Sequence, residues 1–316
     1  MKEIGGYLEL EKSHGDHEYY GDLIALNTAR NALVYLLKAR KIKKLYIPYF
    51  LCDSASGVCD REGYKYEYYN VDENLRPVFD KELSGDEWFY LVNYYGQINN
   101  NEILEFKKKY NNLIVDNVQA FYQKPLLGID TIYSCRKFFG VPDGAYLATD
   151  AILDEELEQD VSDNRMAHII GRAKDSASEH YTEYTANEEL FENLKLKSMS
   201  KLTHKLLRDI DYEECKRKRE ENFRYLHEQL GKKNKLKITV PEGPYMYPYY
   251  TENGMVLKKK LAEQKIYIPT LWPNVLDMEC ELGKKLAENI LPLPCDQRYL
   301  KNEMIKIADL LTDTIR

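Results

Sequence analysis

Short apolar runs alternate with longer amphipathic stretches through the first half of the chain. Residues 23–26 form a brief apolar run. Residues 31–40 place Leu33, Leu36 and Leu37 on one helical face. Residues 45–47 predict a strand stopped by Pro48, residues 52–61 a helix, and residues 64–71 a strand rich in tyrosine. Residues 88–92 are apolar without interruption, as in a strand buried on both faces. A polar, lysine-rich helix is expected over 102–110, then strands over 113–115, 131–134 and 145–149. The pattern changes afterwards. Residues 154–205 contain no proline and read as helix with loops. Residues 212–230 form a charged amphipathic helix that stops at Gly231. Strands are expected over 236–240 and 266–268, and helices over 255–264 and 300–315.

Strand–helix alternation predicts an α/β protein with a mainly parallel sheet covered by helices. Ligands of such sheets bind at the carboxyl ends of the strands. Asn27, Asn93, Asp116 and Ser134 fall at those ends and converge on one edge. The 316 residues suffice for two domains. We expect a large domain over 1–199 and a smaller C-terminal α+β domain over 200–316.

Composition narrows the possible partners. A net charge of -7 disfavours nucleic acid, which selects basic surfaces. No apolar stretch approaches the roughly 20 residues that span a bilayer, so no membrane association is expected. Met1-Lys2-Glu3 runs into Gly5-Gly6-Tyr7 without an apolar targeting core. Cys52, Cys59, Cys135, Cys215, Cys280 and Cys295 include no C-x-x-C pair and match no common zinc spacing. The expectation is free thiols in a cytoplasmic protein. His14 and His17 are spaced H-x-x-H but lack a nearby third ligand, so no metal is expected. Neither G-x-G-x-x-G nor G-x-x-x-x-G-K-[ST] occurs, which removes the usual anchors for dinucleotides and for P-loop phosphates. No G-x-S-x-G elbow occurs either.

What remains is an acid and a lysine at neighbouring strand ends. Asp116 follows Leu113-Ile114-Val115, and Lys137 follows Thr131 to Arg136. This is the layout that holds pyridoxal 5'-phosphate (PLP). The Lys137 amine forms the Schiff base, and the Asp116 carboxylate keeps the pyridine nitrogen protonated so that the ring accepts electrons. Lys137 precedes the apolar turn Phe138-Phe139-Gly140-Val141-Pro142, an unusual setting for the alternative, a solvated lysine. The alternative for Asp116 is an N-cap. Gln119 is a candidate donor to the cofactor's phenolic oxygen; otherwise it is a polar loop residue. Thr28, Ala29 and Arg30 open a helix whose free N–H groups suit a phosphate, with Ser134 as a further hydroxyl. Simple N-capping by Thr28 is the alternative. Tyr245, Tyr247, Tyr249 and Tyr250, beside proline and glycine, are candidates for lining a cleft, as is the segment 268–273.

In order, these residues resemble the DegT/StrS group of PLP-dependent sugar aminotransferases. Thr28-Ala29-Arg30-Asn31-Ala32-Leu33 takes the place of the phosphate loop, with Arg30 where the family has threonine. Tyr46-Ile47-Pro48, Val92-Asn93-Tyr94-Tyr95-Gly96, Asp116 to Gln119, Lys137 and Asp143-Gly144-Ala145 follow in the family's order. The resemblance covers roughly residues 20–150. It implies the PLP-dependent transferase fold type I and transfer of an amino group from an amino acid, plausibly glutamate, to a keto acceptor. It also implies a homodimer in which a partner asparagine reaches the phosphate; Asn164 is the candidate here. Asn93 and Tyr94 fall in the family's cofactor-contacting segment. The aromatic residue that stacks on the cofactor ring aligns with Cys52, so Phe50 or Tyr94 is expected to take that role. Relatives that dehydrate a sugar carry histidine in place of the lysine, so Lys137 favours transfer over dehydration. A protein that keeps the fold without turnover is the remaining reading.

Overall fold

The apolar runs at 88–92 and 113–115 become the centre of an eight-stranded sheet in the computed structural model, which describes Gly15 and residues 17–313. The strands are β1 (Ile24–Leu26), β2 (Lys44–Pro48), β3 (Lys65–Val71), β4 (Pro77–Val78), β5 (Glu87–Val92), β6 (Leu113–Asp116), β7 (Asp130–Ser134) and β8 (Ala145–Ala148). Their order is β1-β8-β7-β6-β5-β2-β3-β4. From β3 through β2, β5 and β6 to β7 all neighbours are parallel. β8 is antiparallel to both β7 and β1, so β1 points the same way as β7.

Helices α1 (Ala29–Ala39), α2 (Ser54–Glu62) and α3 (Asn100–Lys109) connect these strands. Their ends follow local chemistry. Thr28 caps α1 by accepting from the Asn31 N–H. Asn99 and Glu102 form a capping box at α3. Gly63, at φ 74°, ends α2 in the left-handed region. Helices α4 (Ala167–Lys174) and α5 (Tyr181–Leu190) follow the sheet, and α6 (Lys201–Arg208) packs back on it. Asp143 accepts from the Ser200 N–H and hydroxyl and from the Thr203 hydroxyl, fixing the first turn of α6 to the turn after Lys137.

The C-terminal part contains α7 (Tyr212–Leu230), β9 (Met246–Tyr250), α8 (Gly254–Glu263), α9 (Glu281–Asn289), β10 (Ile290–Pro294) and α10 (Lys301–Asp313). Phe223, Leu226, Leu257, Leu293 and Ile307 form its core. Here the structure departs from the strands expected at 236–240 and 266–268, which are irregular. The two strands are instead β9 and β10, paired antiparallel with Pro248 opposite Pro292. A two-stranded ribbon has only edges, so each proline spares a ladder bond at no cost to a neighbour. No described helix is long and apolar enough to cross a membrane. His14 and the Gly5-Gly6-Tyr7 segment lie outside the described residues.

A third cluster is mainly aromatic. Tyr20, Phe121, Tyr133, Phe138, Phe139 and Tyr146 pack together under the loop that follows β7. Burial of each such ring stabilises by roughly 1.5–3 kcal/mol. This packing accounts for the Phe138-Phe139 pair directly after Lys137: both rings are anchored below the loop.

Candidate active site

Sheet register brings the strand-end residues together. Leu26 of β1 and Ser134 of β7 both pair with Ala145 of β8, while Asp116 of β6 lies between Val92 and Ile132. Thr28, Asn93, Asp116, Ser134 and Lys137 therefore share one edge of the sheet.

Asp116 is buried, and both its oxygens are used. Oδ2 accepts from the Tyr90 hydroxyl at 2.9 Å and Oδ1 from the Val118 N–H at 2.8 Å. Burial pushes its carboxyl above the usual carboxylate range; the Val118 N–H, the Tyr90 hydroxyl and the nearby Lys137 charge oppose that shift. Lys137 is half-buried, with Nζ 5.5 Å from the centre of the Tyr245 ring. The Tyr245 hydroxyl holds the lysine above its usual value against the effect of burial, and Cys52, Tyr184 and Glu188 act in the same direction.

The other expected residues divide into two sets. Gln119 Oε1 accepts from the Tyr95 N–H at 2.8 Å, and its amide NH₂ has no hydrogen-bond partner among the described residues. Tyr95 is held at φ 53°, uncommon for a non-glycine residue, and its hydroxyl is buried without a partner among the described residues. Ser134 ends β7, and its hydroxyl is likewise unspent among the described residues. The Thr28 hydroxyl is committed to the Asn31 N–H, but the N–H groups of Ala29 and Arg30 remain available at the start of α1. Arg30 lies close enough to Arg136 to repel it.

Asn93 is spent internally. Its amide bonds Ile98, Asn117 and Gln123, tying the loop after β5 to the loop after β6. Phe50 and Tyr94 are 0 % and 1 % exposed. The Tyr94 hydroxyl donates to the Phe50 carbonyl at 2.6 Å, and both rings pack on Trp272. Neither ring has an open face to stack on a cofactor. Of the three residues considered for that role, Cys52 is the one beside Lys137, with its Sγ 2.9 Å from the Ser54 hydroxyl.

Several residues at the site carried no such assignment in the sequence. Tyr90 sits two positions before the end of β5, where strand alternation turns it toward Asp116 across the sheet. Of the tyrosines in 245–250, Tyr245 reaches the site, while Tyr247, Tyr249 and Tyr250 are core residues. The Pro241–Pro244 turn delivers Tyr245, and Gly243 makes it possible. At φ 47°, a Cβ there would lie 2.2 Å from the Tyr122 ring.

Arg219 of α7 holds this turn. It is 2 % exposed and donates to the carbonyls of Pro244, Tyr245 and Phe138, so one guanidinium joins the loops carrying Tyr245 and Lys137. Replacing it with methionine would strand the Pro244 and Tyr245 carbonyls, while Phe138 would keep only the Gln297 amide as a donor. We expect Arg219→Met to cost about 2–4 kcal/mol, measured by urea unfolding, with loss of ligand affinity at the site. A wild-type midpoint for that variant would contradict this role.

As a donor set, the edge offers an amine, a buried carboxylate, a free amide NH₂, an unspent hydroxyl, two guanidinium groups and a helix N-terminus. These fit, in turn, an aldehyde, a protonated ring nitrogen, a phenolic oxygen and a phosphate.

No protein-family model and no curated protein matches the chain. Solved structures do. A DegT DnrJ EryC1 StrS aminotransferase from Brucella abortus is 14% identical, with a TM-score of 0.63 over 96% of this chain and 87% of that one. A protein of Streptococcus pneumoniae assigned as a sugar aminotransferase, solved in its PLP form, is 12% identical with a TM-score of 0.63, over 90% and 85%. An aminotransferase involved in the biosynthesis of pseudoaminic acid, from Helicobacter pylori, is 13% identical with a TM-score of 0.62, over 92% and 85%. At these identities the likeness carries the fold: the chain has the α/β architecture of these aminotransferases, fold type I of the PLP-dependent transferases.

Proposed function

We propose that this protein is a PLP-dependent aminotransferase that moves an amino group from an amino acid, with glutamate as the expected donor, to a keto group of a nucleotide-linked sugar. One observation carries the reading: Lys137 and a buried Asp116 meet at adjoining strand ends in a fold shared with three aminotransferases. When bound, PLP supplies an electron sink for the pair left at the donor's Cα. Lys137 Nζ is the covalent anchor and the base that moves the proton at that carbon. Asp116 keeps the ring nitrogen protonated. The Gln119 amide donates to the phenolic oxygen. Ala29, Arg30 and Ser134 bind the phosphate. The sugar acceptor and the nucleotide rest on the resemblance and on the neighbours' descriptions.

We also read the protein as a cytoplasmic homodimer. All six cysteines are unpaired, which suits a reducing compartment. Ile152, Val161, Ile170, Tyr181 and Leu190 are large apolar side chains left exposed between β8 and the end of α5, a surface that suits a second copy. Asn164 is exposed on the same segment and is our candidate for the residue that reaches the partner's phosphate. That neither Phe50 nor Tyr94 has an open face favours the second reading, a protein that keeps the fold without turnover.

The two separate in one experiment: protein loaded with PLP and mixed with glutamate releases one equivalent of 2-oxoglutarate per site if it is an aminotransferase. Bound cofactor with no release would favour the second reading. Covalent capture of PLP is also expected to be pH-dependent. Only the neutral amine attacks, and Lys137 is held protonated above the normal range. The capture rate should rise close to tenfold per pH unit up to that raised value, while the stability contributed by the charged lysine is lost as pH passes it. A flat profile would contradict the assignment of Lys137.

A further inference from the structure

Helix α5 lies against the site, and what it contributes there is a carboxylate. Glu188 pairs with the Arg136 guanidinium. Its charge also acts on Lys137. The Arg136 side chain is 16% exposed and lies 3.7 Å above the Phe191 ring, so it is largely removed from water. Arg30, at the start of α1, adds a second positive charge against it. Arg136 and Lys137 therefore both feel the Glu188 carboxylate, and Arg30 stands near Arg136 at the N-terminus of α1, the place where free N–H groups favour an anion.

The docking of α5 is itself incomplete. Asn187, next to Glu188, is 5% exposed, and neither its oxygen nor its nitrogen finds a hydrogen-bond partner among the described residues. An unsatisfied buried amide opposes burial of the helix that carries it. Tyr181, Tyr184 and Leu190 on the same helix remain partly in solvent. Glu188 and the Phe191 ring just after the helix tie it to Arg136, while Tyr184 packs on His168 of α4.

We propose that Arg136, with Arg30, is the seat for the cofactor's phosphate, and that Glu188 occupies this seat in the ligand-free protein as an internal substitute for it. The assignment rests on the PLP reading above. A phosphate dianion balances two guanidinium groups better than one carboxylate does, and its several oxygens accept from both forks. Phosphate and Glu188 compete, so binding the cofactor releases the Glu188 end of α5. Releasing it also frees Asn187 from an unsatisfied position and takes from Lys137 a negative neighbour that favours its protonated form.

The test compares dissociation constants of PLP, pyridoxal and inorganic phosphate for wild type, Glu188→Gln, Arg136→Met and Arg136→Lys. We expect Glu188→Gln to bind PLP and inorganic phosphate about tenfold more tightly, as removal of one charge-assisted competitor implies, and pyridoxal by a much smaller factor, through the lysine alone. Arg136→Met should lose PLP affinity about ten- to hundredfold without affecting pyridoxal, with partial recovery in Arg136→Lys. Trypsin cleavage after Lys174, between α4 and α5, should quicken on adding inorganic phosphate to the wild type. The folded state of each variant is checked by its melting transition. Unchanged or weaker PLP and phosphate binding in a folded Glu188→Gln protein would overturn the proposal and make the pair a structural brace. Phosphate behaving as expected while PLP gives no visible band would uphold the seat and remove the enzyme reading.

Discussion

Lys137→Ala is expected to leave a folded protein that no longer transfers an amino group. Loss of the proton-moving amine alone slows such chemistry by roughly 10²–10⁴-fold, and loss of the covalent anchor adds to it. The fold should survive because the rings that fix this loop are Phe138 and Phe139, packed in the aromatic cluster, with Arg219 bonded to the Phe138 carbonyl. Lys137 itself is half-buried over Tyr245. Single-turnover release of 2-oxoglutarate from glutamate, beside a thermal melt, checks both halves. An active alanine variant, or an unfolded one, would contradict the account.

Asp116→Asn should separate activity from stability. Asparagine keeps the shape and an acceptor for the Val118 N–H but cannot hold a ring nitrogen protonated, so the rate should fall roughly ten- to hundredfold, the worth of one charge-assisted contact in a buried site. Stability should move the other way. Burial raises the Asp116 carboxyl, so the folded state holds its proton more tightly than the unfolded chain. The stability this gives is full below the unfolded value of about 3.9 and is lost as pH rises through the raised value. At about pH 8 the wild type therefore carries a penalty that asparagine removes, and the variant should melt higher in the cofactor-free state. The gap should narrow toward about pH 4, where the wild-type carboxyl is increasingly protonated. A variant less stable than wild type at the higher pH would show that the Lys137 contact outweighs the burial of the charge. The pairing of lost activity with gained stability is what a strained functional site predicts.

Much of this was legible in the chain because its first half follows local rules. The unbroken apolar runs at 88–92 and 113–115 could be buried only on both faces, and they are the central strands β5 and β6. Thr28 and Gly231 marked helix ends correctly, since a cap is a short-range contact. The C-terminal ribbon was hidden by Pro248 and Pro292. Their presence argues against a strand unless the ladder is known to have only edges, and that depends on pairing 44 residues apart. The grouping of Asp116, Ser134 and Lys137 was legible because sheet order converts strand ends into neighbours. A side chain's use was not legible where it depends on distant partners. Asn93 reads like a ligand-facing residue until Asn117 and Gln123 consume its amide. Phe50 and Tyr94 read like stacking rings until Trp272 covers them. Glu188 and Arg219 lie 52 and 81 residues from their partners Arg136 and Phe138, and no local pattern announces either.

The central claim is that Lys137 holds PLP as the covalent anchor of an aminotransferase. The most direct measurement is the visible absorption spectrum of the purified protein with PLP, before and after glutamate, beside Lys137→Ala. The account predicts a yellow band in the wild type that glutamate bleaches and that the alanine variant lacks. A folded wild-type protein with no band, or a band that survives in Lys137→Ala, would contradict it.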